Sequence, residues 1–289
     1  VGGGRLFPVD PIEFTTGGIV CNTGVAMRRL GATVDAAAVV GDDLWGREVT
    51  AALDAAGVGT SAVERRADGA TSTTAVLIDR GGERSFAHHV GVAGTLDLGF
   101  LRRHAAVFAR CHYAVVGYAG LLPALEPHLA EAVALLRGTG CRVVVETGGG
   151  GGSLRDIAAA LPGIDVFVPS LEEARGHTGT DDPREIIACY RRHGAEGLVG
   201  VKCGARGSVL SPADSTLIEV PCVEPPGPVV DTTGAGDSFL AGLVVGLVRG
   251  MPVEAAARLG AATAACCVTR AGATAGLRDL SDTMRLAGL

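Results

Sequence analysis

A glycine-rich stretch between two aspartates is the part of the sequence best suited to chemistry. Residues 229–239 read VVDTTGAGDSF, with Asp231 and Asp237 on either side of a run of Thr, Gly and Ala. The apolar positions that follow have helical spacing and predict a helix that begins near Gly236: Phe239, Leu240, Leu243, Val244 and Leu247. The first N–H groups of a helix lack partners within it, and its dipole adds positive charge there. Because Gly234 and Gly236 have no side chains, an anion can approach this backbone closely.

The carboxylate of Asp237 needs a separate explanation, because a bound phosphate would repel it. A carboxylate beside an anion site can act as a general base that takes a proton from a hydroxyl as its oxygen attacks phosphorus. Phosphoryl transfer otherwise depends on positioning and on neutralising charge. The alternative is that Asp237 only complements the helix dipole and that the glycines form a turn.

The elements around this stretch indicate an α/β fold. Four mainly apolar runs, HYAVVG, CRVVVE, IDVFVP and GLVGVKCG, are typical of buried strands, and helical patterns separate them. Such strands favour a parallel sheet that is covered by helices on both faces. Ligands of these sheets bind beyond the carboxyl ends of the strands, where the loops ETGGGGG, PSLEE and KCGARG follow.

The N-terminal part contains a second kind of pattern. NTGVAMRRLG and GREVTAALDAAG predict helices, and VDAAAVVG predicts a buried strand. TSTTAVLIDRGGERSFAHHV then has two alternating runs around Gly81 and Gly82, which predicts a β-hairpin. Two strands alone are marginally stable, so this hairpin needs partners, either nearby strands or another subunit.

Composition argues against several other classes of protein. The 289 residues, 47% of them hydrophobic, predict one large domain, with room for a small appendage. The net charge of -6 and the lack of a long Lys/Arg cluster argue against nucleic acid as a partner. The longest apolar runs are about half as long as a membrane span, and we recognise no signal peptide. The eight cysteines form no C-x-x-C pair, so we expect reduced thiols and a cytoplasmic location.

Two long motifs resemble the signatures of one known family. DTTGAGDSFLAGL resembles the second signature of the ribokinase-like (PfkB) carbohydrate kinases, and TTGGIVCNTGVAMRRLGATVDAAAVVGDDLWGREVTAALDAAGV resembles the first. The resemblance extends over nearly the whole chain from Gly17 onward. It implies a ribokinase-like, doubly wound and mostly parallel sheet with helices on both faces, plus a small β-sheet lid. We expect residues 17–67 and 93–289 to form the core, and residues 1–16 and 68–92 to form the lid. We also expect a homodimer through the lid, because a bare small sheet exposes its edges.

The resemblance also implies roles for individual residues. Asp237 matches the catalytic base and contacts the substrate hydroxyl. The anion hole corresponds to Gly234, Ala235 and Gly236, and the sugar contacts correspond to Gly18 and Asn22. The implied cofactors are ATP and Mg²⁺, with K⁺ as a further candidate. The implied nucleotide contacts are Lys202, Gly204, Gly207 and Ser170, and Glu173 would hold Mg²⁺ through water. The implied monovalent cation site, mostly of backbone carbonyls, is near Asp231, Thr233, Cys267, Arg270 and Gly272.

Some positions depart from the family pattern or allow an alternative. Ser170 replaces an Asn and can also form a capping box with Glu173, while Ala205 and Arg206 fit a plain hairpin turn. Glu146 replaces an Asp, and the glycines at 148–152 do not fit a dinucleotide motif, so we expect a loop near the sugar or γ-phosphate. Only sixteen residues precede Gly17, and Asp10 is too close to it to match the family's sugar-binding Asp. Since the chain begins with Val1, we expect that its N-terminus is incomplete or that sugar is bound differently.

The function that we expect is ATP-dependent phosphorylation of a primary alcohol of a sugar or sugar-like substrate. A nucleoside kinase on the same fold is the nearest alternative, and it would need an aromatic side chain to stack on the base, with Phe86 and Tyr118 as candidates. Aromatic residues make up only 4% of the chain, which favours a sugar. A sugar-binding or regulatory protein without catalysis is the alternative from another class. Whether His88 or His89 faces the substrate stays open.

Overall fold

A six-stranded sheet is the centre of the computed structural model, which describes residues 9–78, 84–148, 153–213 and 216–289. The strands of the molecule are β1 Asp35–Gly41, β2 Gly59–Arg66, β3 Thr73–Ile78, β4 Arg84–His89, β5 Tyr113–Gly117, β6 Arg142–Glu146, β7 Val166–Phe167, β8 Leu198–Lys202, β9 Ser208–Ala213 and β10 Thr216–Val220. The central sheet has the order β10-β9-β8-β7-β6-β5. Strands β5 to β8 are parallel, while β9 and β10 are antiparallel to their neighbours. The four predicted strands and their parallel pairing are therefore confirmed.

Helices cover both faces of this sheet. They are α1 Gly18–Arg29, α2 Leu44–Ala55, α3 Leu98–Arg103, α4 Ala105–Phe108, α5 Leu129–Gly138, α6 Leu154–Ala158, α7 Leu171–Thr178, α8 Pro183–Arg192, α9 Ala235–Val248, α10 Val253–Cys267 and α11 Leu280–Ala287. Side chains alternate along a strand, so β6 directs Val143 and Val145 into one apolar cluster and Val144 into another. The first cluster includes residues of α5, α7 and α8, and the second includes residues of α1, α9 and α10. Within the described residues, no helix combines the length and hydrophobicity needed to cross a membrane.

Two small sheets lie outside the central one. Strands β1 and β2 pair in parallel, and β3 and β4 pair antiparallel as the hairpin prediction requires. The predicted turn at Gly81 and Gly82, the glycines at 149–152 and the first eight residues of the predicted lid are outside the described residues. In the hairpin, Val76 is opposite Phe86, and both side chains are exposed. The proposed division into core and lid stays a prediction.

The GDDLWG motif connects the end of β1 to the segment that leads into the hairpin. Asp43 caps α2 by accepting a hydrogen bond from the Gly46 amide at 2.8 Å. It also accepts hydrogen bonds from the amide and the hydroxyl of Thr71, at 2.8 and 2.6 Å. These bonds, led by the one from the Thr71 hydroxyl, lower the pKa of Asp43 to about 2. A Cβ at Gly46 would lie 2.1 Å from the carbonyl oxygen of Gly41, which explains why the last residue of the GDDLWG motif is glycine.

Candidate active site

The carboxyl ends of four parallel strands place polar side chains along one edge of the sheet. Tyr118 follows β5, Glu146 ends β6, Ser170 comes shortly after β7, and Lys202 ends β8. Ser170 also forms an isolated parallel bridge with Lys202. This is the edge at which open α/β sheets bind their ligands, and residues of the three loops named from the sequence lie along it.

Helix α9 begins within the stretch that was predicted to bind an anion. It starts at Ala235, one residue before the expected start, and Gly234 precedes it with φ 76° and no side-chain capping bond. Only glycine suits this left-handed position, because a Cβ there would also lie 2.4 Å from the Cβ of Ala273. The helix therefore presents its N-terminus to the sheet edge with Asp237 in its first turn.

Asp237 is a buried carboxylate, 7% exposed, with two side-chain donors on one oxygen. The Asn22 Nδ2 donates to its Oδ2 at 2.8 Å, and the Tyr118 hydroxyl donates to the same atom at 2.7 Å. Asn22 lies on α1, one turn after Gly18, so the two predicted sugar contacts share one face of the helix. The Oδ1 of Asn22 is buried and has no hydrogen-bond partner among the described residues, so it can accept a bond from a substrate hydroxyl.

Lys202 and Glu146 form a buried ion pair next to the start of α9. Lys202 Nζ lies 3.0 Å from each carboxylate oxygen of Glu146, and the two side chains are 11% and 5% exposed. A side chain at Gly236 would begin 3.3 Å from Lys202 Nζ, so the ammonium group is beside the predicted anion hole. Burial raises the pKa of Glu146 to about 7 although Lys202 opposes this effect. Burial would lower the pKa of Lys202, but the charge of Glu146, with those of Glu173 and Asp237, raises it.

Ser170 and Glu173 form the capping box that the sequence allowed as an alternative. The amide and the hydroxyl of Ser170 donate to Glu173 Oε2 at 2.8 and 2.9 Å, and the Glu173 amide donates back to Ser170 Oγ at 3.3 Å. The loop after β8 forms a short 3-10 turn at Gly204–Arg206, which leads into the antiparallel β9 as the predicted hairpin requires. Gly204 and Gly207 both have positive φ angles, 59° and 86°, as the tight turn requires.

Asp231 joins the stretch before α9 to the turn that follows α10. Its Oδ1 accepts from the Thr233 amide at 2.8 Å, and its Oδ2 accepts from the Gly272 amide at 2.9 Å. The Cys267 thiol donates to the Thr233 carbonyl oxygen at 3.4 Å and to the Ala273 carbonyl oxygen at 3.2 Å. The carbonyl oxygens of the two segments therefore face a common point. The Arg270 side chain is exposed.

Sequence reasoning did not assign two contacts of this site. It treated Tyr118 as a candidate for stacking on a base, whereas its hydroxyl is bonded to Asp237. It noted Glu146 only as a replacement for Asp and did not pair it with Lys202. The signal that was available is the position of both residues directly at the carboxyl end of a buried strand.

A buried carboxylate and a lysine at an open helix N-terminus are groups suited to phosphoryl transfer to a hydroxyl. A family model described as pfkB family carbohydrate kinase matches residues 5–280. The chain therefore belongs to the pfkB family of carbohydrate kinases, which makes it a phosphotransferase.

Curated relatives and solved structures agree with this family. An uncharacterized sugar kinase from Archaeoglobus fulgidus is 28% identical, over 88% of this chain and 98% of that protein. Ribokinase from Haemophilus influenzae is 27% identical, over 94% of this chain and 87% of its own length. A nucleoside kinase from Methanocaldococcus jannaschii is 44% identical, but over only 24% of this chain and 22% of that protein. The chain is thus a sugar or nucleoside kinase of the pfkB/ribokinase family.

The fold has close counterparts among solved structures. Ribokinase from Arabidopsis thaliana, complexed with ribose and ATP, superposes with a TM-score of 0.83 at 23% identity, over 99% of this chain and 93% of that one. Ribokinase from Giardia lamblia gives a TM-score of 0.80 at 20% identity, over 96% and 93% of the two chains. The predicted ribokinase-like fold is confirmed.

Proposed function

We propose that this chain is an ATP-dependent kinase that phosphorylates a primary alcohol of a sugar or sugar-like substrate, with Asp237 as the general base. The observation that carries the proposal is the buried Asp237 carboxylate in the first turn of α9, next to the Lys202 ammonium and to the unsatisfied oxygen of Asn22. Asp237 takes the proton of the acceptor hydroxyl. The N-terminus of α9, at Gly234, Ala235 and Gly236, stabilises the charge on the transferring phosphoryl group.

The nucleotide is proposed to lie along the ends of β7 and β8. Lys202 would contact its phosphates, with Ser170, Gly204 and Gly207 beside the bound nucleotide. The relative from Arabidopsis thaliana binds ATP together with ribose, which supports ATP as the donor. The described residues contain no cluster of three His, Cys, Asp or Glu side chains placed to hold a metal ion. Mg²⁺ keeps several waters and takes ligands from the ATP phosphates, so Glu173 would act on it through water.

A monovalent cation such as K⁺ is proposed at the junction that Asp231 holds together. Carbonyl oxygens near Thr233, Cys267, Arg270 and Gly272 are suitable hard ligands, and the Asp231 bonds to the amides of Thr233 and Gly272 bring the two segments together. Turnover in KCl compared with tetramethylammonium chloride at equal ionic strength tests this site. Equal rates in the two salts would contradict it.

A sugar is favoured over a nucleoside by the relatives that match most of this chain, whereas the two candidate aromatics do not decide between them. Phe86 is 62% exposed on the hairpin, and the Tyr118 hydroxyl is bonded to Asp237. The two full-length relatives described above are a sugar kinase and a ribokinase. A thermal-shift screen of sugars and nucleosides separates the two classes, because a ligand that binds the folded state raises Tm. Stabilisation by nucleosides alone would reverse the assignment.

The catalytic role is tested with Asp237→Asn. We expect kcat to fall by on the order of 10² to 10⁴ or more, while ATP and sugar binding are kept, because only the proton acceptor is lost. ADP release across a sugar panel measures turnover, and calorimetry measures binding. Asp282→Asn is the matched control, since Asp282 also lies in the first turn of a helix, α11, but pairs with Arg285 at the surface. Near-normal turnover of Asp237→Asn would contradict the assignment of Asp237 as the general base. Binding of ATP and sugar without turnover in the wild type would favour a non-catalytic sugar-binding protein.

We further propose that the chain forms a homodimer in the cytoplasm through its hairpin. Val76, Ile78 and Phe86 are 46%, 66% and 62% exposed, and Leu77, 58% exposed, points to the opposite face of the two-stranded sheet. A two-stranded sheet with exposed apolar side chains on both faces is stable only when other atoms pack against it. One face can contact the substrate, and the other can pack against a second copy of this chain. Sedimentation at micromolar concentration should give twice the chain mass. A monomeric mass would contradict the dimer.

A further inference from the structure

Tyr118 makes a contact that the proposed chemistry does not yet use. Its hydroxyl donates to Asp237 Oδ2 at 2.7 Å, and the Asn22 amide nitrogen donates to the same oxygen at 2.8 Å. In the part of the chain that the structure describes, no side-chain or backbone donor is bonded to Asp237 Oδ1. One carboxylate oxygen is thus held by two donors, and the other is left open.

The backbone of Tyr118 is as unusual as its hydrogen bond. Its φ and ψ angles are 47° and 60°, and it is the one non-glycine residue with positive φ among the described residues. A bulky residue in the left-handed region is strained and persists only where its surroundings fix it, which happens most often at functional sites. The Leu121 amide donates to the Tyr118 carbonyl oxygen at 2.7 Å and closes the turn.

The next strand leaves space for the Tyr118 ring. Gly148 follows β6 with φ 60°, and a Cβ there would lie 2.4 Å from Tyr118 Cδ1. Burial and the nearby Asp237 carboxylate raise the pKa of the Tyr118 hydroxyl, so it remains a donor. The backbone turn, the glycine and the protonated hydroxyl together direct a single hydrogen bond at the base.

We propose that Tyr118 is a positioning residue that, with Asn22, fixes Asp237 Oδ2 and leaves Oδ1 as the oxygen that accepts the proton. This proposal rests on the proposed kinase function. In the transfer step the acceptor oxygen bonds to the γ-phosphorus of ATP while its O–H bond breaks and the proton moves to Oδ1. The bond from the γ-phosphorus to the bridging oxygen breaks, and ADP leaves with that electron pair. A carboxylate that rotates would present Oδ1 in the right place for only part of the time.

The kinetic test is Tyr118→Phe, which keeps the ring and removes the hydroxyl. We expect kcat to fall about 10- to 100-fold, because a small misplacement of a reacting group costs about that much, while KM for ATP stays within about twofold. Tyr113→Phe is the matched control. Tyr113 begins β5, the strand that Tyr118 follows, and its hydroxyl accepts from Arg142 at 3.0 Å, away from the base. A Tyr118→Phe enzyme with wild-type kcat, or with its whole loss in KM for ATP, would overturn the proposal.

A spectroscopic test needs no substrate and no turnover. The chain has three tyrosines, so ¹³Cζ-tyrosine NMR gives three signals that Tyr→Phe variants assign. We expect Asp237→Asn to move the Tyr118 signal, since the hydroxyl loses the carboxylate oxygen to which it donates. The signals of Tyr113 and Tyr190 should not change. An unchanged Tyr118 signal refutes the positioning contact. If the contact is present but no acceptor is phosphorylated, the kinase proposal fails instead.

Discussion

Replacing Lys202 with Met should make the stability of the protein fall steeply as pH rises. The side chains of Lys202 and Glu146 are 11% and 5% exposed, and each carboxylate oxygen is 3.0 Å from the ammonium nitrogen. Burial raises the pKa of Glu146 from its ordinary 4.5 to about 7, and Lys202 is the main group that opposes the rise. Lys202→Met removes that opposition and leaves Glu146 facing Glu173 and Asp237, so its pKa must rise further.

The size of the effect follows from the pKa of Glu146. Between pH 4.5 and 7 the folded state binds more protons than the unfolded state, so stability falls as pH rises through this window. A pKa of about 7 instead of 4.5 corresponds to about 3 kcal/mol lost above pH 7 in the wild type. In Lys202→Met the free energy of unfolding continues to fall above pH 7, because Glu146 ionises at a higher pH than in the wild type. Above pH 7 only the variant keeps losing stability, at about 1.4 kcal/mol per pH unit, so its extra loss reaches about 2 kcal/mol at pH 8.5.

Urea unfolding followed by circular dichroism at several values between pH 5 and pH 8.5 measures this difference. The gap between wild type and Lys202→Met should be small at pH 5 and should reach about 2 kcal/mol at pH 8.5. The control is the double variant Lys202→Met/Glu146→Gln, which has no ionisable group at either position. Its stability should depend on pH less than that of the wild type. If the single and double variants lose stability in parallel from pH 5 to pH 8.5, Glu146 does not titrate as the structure requires.

Two further substitutions separate stability from catalysis. Thr71→Val removes the hydroxyl that accepts the Gly41 amide at 2.8 Å, so the free energy of unfolding should fall by about 1–3 kcal/mol in urea titration. Thr60→Val, at a half-buried threonine whose bond to Asp54 is at the surface, should change it by less than about 0.5 kcal/mol, and equal losses would refute the reasoning. Gly236→Ala should change the free energy of unfolding by less than about 1 kcal/mol, because the helix preference of Ala offsets its close contact with Lys202. It should nevertheless lower kcat, because the added Cβ would lie 3.3 Å from Lys202 Nζ within the anion hole; unchanged kcat would contradict that placement.

The sequence predicted those parts of the site that depend only on short stretches of neighbouring residues. The start of α9 follows from helical spacing and two glycines, and the position of Asp237 follows from that start. The edge of the sheet could also be predicted, because parallel strands have a recognisable apolar pattern. Strands β2 and β10 were missed, since GTSAVERR and TLIEV bury few of their side chains.

Contacts between distant strands could not be predicted in the same way. Glu146 and Lys202 are 56 residues apart, and nothing local in either segment indicates that two side chains at the ends of β6 and β8, with β7 between them, will pair. The left-handed backbone of Tyr118 could not be predicted, because Gly or Asn usually occupies this conformation. An aromatic residue instead predicts a negative φ angle. The resemblance to a family agrees with the predicted role of Asp237 as a base, but it could not supply the contact made by Glu146, which departs from the family pattern.

The charges of the site predict that ATP binds tightly only together with a divalent cation. Glu146, Glu173 and Asp237 act on Lys202 electrostatically, so three carboxylates surround one ammonium group where the phosphates are proposed to bind. A triphosphate without metal adds negative charge to a site that already has an excess of it, whereas Mg²⁺ between the phosphates offsets that repulsion. Calorimetry should therefore show at least about tenfold weaker ATP binding in EDTA than in Mg²⁺, which is about 1.4 kcal/mol. Glu172→Gln, which removes an exposed carboxylate in the first turn of α7, is the control for general charge and should keep this ratio. Equal affinity with and without Mg²⁺ would mean that the carboxylates do not face the phosphates.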